Sequence, residues 1–99
     1  MILYIVECNY AENNVVFEDL DAAAEFVRNM RGEWDDKSAE EIKDMGYIVP
    51  ATVEWRKRPK SSAAVFKPWI VTRPDGGCQV LFPLSELDGL IARVLEAGE

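Results

Sequence analysis

Apolar positions alternate from the first residues of the chain. Ile2, Tyr4, Val6 and Cys8 fall on one face of an extended segment and Leu3 and Ile5 on the other, so residues 1–10 predict a strand covered on both faces. Ala11-Glu12-Asn13-Asn14 reads as a turn, because paired asparagines tolerate left-handed backbone. Val15-Val16-Phe17 then returns as a short antiparallel strand. The period changes at residue 20. Leu20, Ala23, Ala24, Val27 and Met30 form one apolar stripe at helical spacing, with Asp21, Glu25, Arg28 and Asn29 on the opposite face. Asp19 is placed to cap this helix, Asp21 favours its positive end, and Gly32 ends it. After the acidic connection Glu33-Trp34-Asp35-Asp36-Lys37, Ser38 and Glu41 stand three apart as a capping box. A short helix follows to Met45, with Ile42 and Met45 inward and Gly46 as its stop.

The second half returns to a period of two. Tyr47, Val49, Ala51, Val53 and Trp55 alternate with Ile48, Pro50, Thr52, Glu54 and Arg56, which predicts a half-buried strand. Pro50 cannot donate to a ladder and puts that strand at a sheet edge. Residues 56–62 read as a loop. Residues 65–73 and 78–82 flank Pro74-Asp75-Gly76-Gly77, a hairpin signal in which proline presets φ and glycine supplies positive φ. Pro83 ends the strand. Ser85, with Asp88 three residues on, is placed to cap a last helix striped by Leu87, Leu90, Ile91, Val94 and Leu95 and stopped by Gly98. The expected order is ββααβββα: one α+β domain over residues 1–99, with an antiparallel sheet of about four to five strands. Two main amphipathic helices and one short helix are expected on one face of it.

Composition narrows the class. The chain has 99 residues, 48% hydrophobic and 29% charged, which is globular and large enough for a single core. No stretch approaches the ~18 uncharged apolar residues of a membrane span. The apolar N-terminus has no basic flank and meets Glu7 at once, so it reads as a strand rather than a signal peptide. With no export signal, Cys8 and Cys78 are expected as reduced thiols in the cytoplasm; a disulfide between them requires the first strand to lie beside the late hairpin.

Catalytic signatures are missing. The chain has no histidine, the commonest general base and zinc ligand. Its cysteines are about seventy residues apart and form no CxxC. Gly76-Gly77 belongs to a hairpin and precedes no helix, so it is not a phosphate loop. There is no GxSxG nucleophile motif. Asp35-Asp36 is the best carboxylate pair, yet the run Glu33 to Lys37 lacks the alternating oxygens of a calcium loop. Cys8 has neither a neighbouring cation in sequence nor a histidine to activate it. The expectation is a protein that is not an enzyme and uses no metal or cofactor.

Charge is the remaining signal. The net charge is −7, with twelve acidic and four basic residues in 1–50 against six and seven in 51–99. If the first two helices lie side by side, Asp21, Glu25, Glu33, Asp35, Asp36, Glu40, Glu41 and Asp44 form one negative surface with Trp34 among them. Such a surface suits a protein partner with a basic surface, including the groove of a nucleic-acid-binding complex. The plainer reading is that these carboxylates only solubilise exposed helices. A second candidate, Trp55-Arg56-Lys57-Arg58-Pro59-Lys60, joins an aromatic to cations; Trp55, Arg56, Lys57, Arg58 and Lys60 are the alternative nucleic-acid-binding residues. That run also suits an acidic patch on a second copy, as in a homodimer. The leading expectation is a small acidic, cytoplasmic inhibitor that binds a nucleic-acid-handling protein complex. This is the profile of phage-borne anti-defence proteins, anti-CRISPR proteins among them.

Overall fold

The computed structural model describes residues 2–8 and 11–98; Met1, Asn9 and Tyr10 of the expected first strand lie outside the described residues. Along the chain run β1 (Tyr4–Val6), β2 (Asn14–Phe17), α1 (Leu20–Arg31), α2 (Ala39–Asp44), β3 (Val49–Pro50), α3 (Val53–Lys57), α4 (Ser62–Phe66), β4 (Trp69–Thr72), β5 (Cys78–Leu81) and α5 (Leu84–Ala97). The α+β class is as expected, and the strands form one sheet in the order β3-β1-β2-β4-β5.

The sheet is mixed rather than antiparallel. β1 pairs antiparallel with β2 (Ile5 opposite Val16) and with β3 (Ile5 opposite Val49), and β4 pairs antiparallel with β5 (Val71 opposite Gln79). β2 and β4, however, are parallel, with Val16 opposite Val71. Everything from α1 to α4 is the crossover between them. Parallel neighbours need a connection of a dozen or more residues, and about fifty supply it here.

The helices also occupy both faces, not one. Leu3, Ile5, Val16, Trp69, Val71 and Leu81 point to a core completed by Trp55, Ala64, Leu87 and Ile91 from α3, α4 and α5. Val6, Cys8 and Phe17 point the other way, to Ala23, Ala24, Val27 and Ile42 from α1 and α2. The alternation in β1, apolar on both sides, requires this arrangement: one helical layer would leave half its side chains in water.

Local chemistry explains the remaining differences. The expected strand over 47–56 pairs only at Val49–Pro50, with the Ala51 amide donating to the Leu3 carbonyl at 2.8 Å. Thr52 Oγ1 then accepts from the Trp55 amide and starts a helix, which buries Trp55 (3% exposed) and turns Val53 outward (43%). Ser61 Oγ does the same for the Ala64 amide, so the expected loop over 56–62 is two helix ends around a short connection. The last helix starts at Leu84 without a Ser85 cap; the Glu86 carboxylate instead accepts the Phe82 amide at 3.0 Å. The Asp19, Ser38 and Gly32 caps form as expected, whereas Met30 and Met45 are exposed, not inward.

Cys8 is buried, Cys78 is exposed on β5, and both are free thiols. Burial pushes the Cys8 thiol pKa up, an effect partly offset by Lys67. An uncharged alkylating reagent will therefore add once to the native protein, at Cys78, and a second time only in denaturant. Intact-mass measurement reads both adducts.

Candidate protein-interaction face

α1 packs on β1 and β2, and α2 packs beside α1 in the same layer, so the acidic residues of both helices lie on the same side of the sheet. Residues 18–46 hold ten acidic and four basic side chains. Three of those four cations are engaged within the layer. Arg28 donates to two loop carbonyls, of Trp34 at 3.3 Å and Lys37 at 2.5 Å. Arg31 lies over both the Trp34 and Tyr47 rings (4.7 and 4.5 Å to the centroids), reaches the Tyr47 hydroxyl at 3.3 Å, and pairs with Glu33 at 3.6 Å. Lys43 pairs with Glu40 at 2.9 Å, and that hydrogen bond raises the Lys43 pKa.

The carboxylates that remain face water. Asp21, Glu25, Asp35, Asp36, Glu41 and Asp44 are all exposed and have no ion-pair partner among the described residues. The interior-facing side of this layer is apolar, and with ten acids against four cations over residues 18–46 its outer surface carries an unbalanced negative charge.

The connection between the helices is fixed. Trp34 has φ 72°, a left-handed conformation that is rare for a bulky residue and costs about 1–2 kcal/mol. Arg28 holds the carbonyls on both sides of the turn, the Lys37 amide closes it onto the Trp34 carbonyl at 3.0 Å, and the indole packs tilted on Tyr47 at 4.7 Å. Asp35 and Asp36 are thus presented on an ordered turn. Removing the clamp with Arg28→Met will cost about 2 kcal/mol, the scale of hydrogen bonds to a charged donor. It will also speed amide exchange over residues 33–38 without speeding it in the sheet. Sequence reading placed Arg28 only on the polar face of the first helix and Tyr47 only in the expected strand, and gave Arg31 no role. The available signal was two arginines in the last turn of a helix, where cations suit the dipole, three and six residues before an aromatic.

At the end of α1 the acidic surface adjoins a cleft of about 520 Å³. Val6, Val27 and Met30 form its apolar part, and Glu7, Arg31, Glu33 and Tyr47 its polar part.

The second candidate run lies in the opposite layer. Residues 52–67 hold five basic side chains and only Glu54 as an acid, and Arg56, Lys57 and Arg58 are exposed. Trp55 is not available for stacking. Its ring is buried edge-on against Trp69 at 5.9 Å, and Lys60 Nζ sits 3.7 Å from its centroid while donating to the Trp55 carbonyl. Burial lowers the Lys60 pKa, with Asp88 opposing.

Among the described residues no three histidine, cysteine, aspartate or glutamate side chains gather to hold a metal ion, and no helix is long and apolar enough to cross a membrane. No protein-family model, curated protein or solved structure matches this chain.

Proposed function

We propose that this protein is a non-enzymatic interaction module that docks the α1–α2 face on a basic surface of another protein. The separation of charge across the sheet carries the reading. Ten acids against four largely engaged cations lie on one side, and a basic segment lies on the other. Opposed potentials of this kind orient an encounter and raise its rate. The ordered Asp35-Asp36 turn lowers the entropy lost on binding, and the apolar cleft beside Glu33 offers room for an anchor side chain. In its finer form, the partner is a nucleic-acid-handling complex in the cytoplasm, and the face covers its basic groove, as an anti-defence inhibitor of the anti-CRISPR type would.

Side-by-side capture from lysate tests the proposal. The native chain is compared with D35K/D36K/E40K/E41K and with R56E/R58E. Circular dichroism will show all three folded. The first variant will lose the native chain's protein partner by at least about tenfold, roughly 1.4 kcal/mol, and the second will keep it. Loss in R56E/R58E alone, together with loss of retention on a single-stranded oligonucleotide, would instead identify the basic run as the binding element.

A further inference from the structure

The two edges of the sheet differ in a way that points to a second partner surface. β3 is a blunt edge: it has two residues, and one is Pro50, which cannot donate. β5 has none of the usual edge protection. Cys78 to Leu81 contains no charge and no proline, and the uncharged run extends from Gly76 to Ser85. Cys78, Gln79 and Val80 are all exposed, Val80 to 61%.

The hydrogen-bond parity shows which backbone groups the edge offers. The carbonyls of Pro68 and Thr72 point to β2, accepting from the amides of Asn14 and Glu18. Trp69 and Val71 therefore point to β5, where they face Leu81 and Gln79, and Arg73 bonds Gly77 in the same phase. Cys78 and Val80 must then direct their N–H and C=O groups out of the sheet. The next outward amide, that of Phe82, is already taken by Glu86.

We infer that β5 is a self-pairing edge, on which a second copy of this chain adds its own β5 antiparallel about a twofold axis. One register uses the available groups fully. Cys78 opposite Val80 of the other copy gives four backbone hydrogen bonds, with the two Gln79 residues facing each other on the axis. A shift by two residues in one direction requires the occupied Phe82 amide, and in the other the Gly76 amide, already bonded to the Arg73 carbonyl. A shift by one puts the bonding groups out of phase. The uncharged strand matches itself, and the acidic helices do not oppose the approach. They lie over β1 and β2, so at a strand spacing of about 4.8 Å the two acidic layers sit roughly 30 Å apart. That exceeds three screening lengths of ~8 Å at physiological salt. Four residues per edge form a small, weak interface, of the class below about 1,200 Å².

Amide hydrogen exchange followed from about 5 µM to about 1 mM, alongside sedimentation equilibrium, tests the inference. The amides of Gln79 and Val71 will be protected at every concentration. Those of Cys78 and Val80 will gain at least tenfold protection only as dimer forms. V80P removes an outward donor without touching the β4–β5 ladder, and will abolish the dimer. In a C78S background, Q79C will form an intermolecular disulfide under mild oxidation and V80C will not, because only position 79 meets its own copy. A monomer at all concentrations, unchanged exchange at Cys78 and Val80, or cross-linking of V80C in preference to Q79C would each overturn the inference.

Discussion

Replacing Asn14 by alanine will destabilise the protein by about 2–5 kcal/mol, although no charge and little apolar surface is lost. Asn14 is completely buried at the start of β2. Its Oδ1 accepts the Cys8 amide at 3.0 Å and its Nδ2 donates to the Ala63 carbonyl at 2.7 Å, tying the end of β1 to α4. Alanine leaves the buried Cys8 amide and the half-buried Ala63 carbonyl without this partner, together about 2–5 kcal/mol on a scale of about 1–3 kcal/mol for each buried group. At about 4–8 °C per kcal/mol, the melting temperature falls by at least about 8 °C. Asn14→Asp is the sharper variant. Its carboxylate still accepts from Cys8 but cannot donate to Ala63 and is costly to bury while ionised. Burial raises that carboxyl's pKa, so the folded variant holds its proton to higher pH than the unfolded chain. Its deficit against the native chain will shrink as pH falls through the raised value. Urea unfolding at pH 7 and pH 4.5 measures both; a change within 0.5 kcal/mol for Asn14→Ala would contradict the tie.

Trp69→Ala will cost about 3–5 kcal/mol, the range for emptying a buried aromatic site. Trp69 is fully buried in β4, donates its indole N–H to the Ala64 carbonyl at 3.0 Å, and meets Trp55 edge to face. It therefore joins the sheet, α3 and α4. Trp69→Phe keeps most of the packing and loses the donor, and will cost about 1–2 kcal/mol. The two variants together separate the volume from the hydrogen bond. If alanine were no worse than phenylalanine in urea unfolding, the side chain would not be filling the core as described.

Much of the fold is legible where one local signal acts alone. The stripe from Leu20 to Val27, the Asp19 and Ser38 caps, Gly32, and the turn at Asp75-Gly76 all form as the residues dictate. Legibility fails where tertiary contacts or competing caps decide. Val53 and Trp55 keep a strand-like period, but Thr52 starts a helix, and only the indole of the pair finds the core. Asn14 looks like a turn residue beside Asn13, and it is the distant carbonyl of Ala63 that makes it a buried strand residue. Parallel pairing of β2 with β4 has no local signature. The coverage of both faces was readable from β1, since an apolar set on each side of a strand calls for a layer on each side. Of the candidate site, the acidic residues were visible as a list. Their shared layer depended on α1 meeting α2, and the engagement of Arg28 and Arg31 was signalled only by their place in the last helical turn before Trp34.

The central claim is that the α1–α2 face binds a basic protein surface. The most direct test is capture from nuclease-treated lysate at about 0.1 M and about 0.5 M salt, with mass spectrometry of the retained proteins. A defined basic partner held at low salt and weakened at high salt, and absent with D35K/D36K/E40K/E41K, is the predicted result, since screening acts on an exposed charged interface. A partner retained equally at both salts and by the reversed face, or none at either salt, would contradict it.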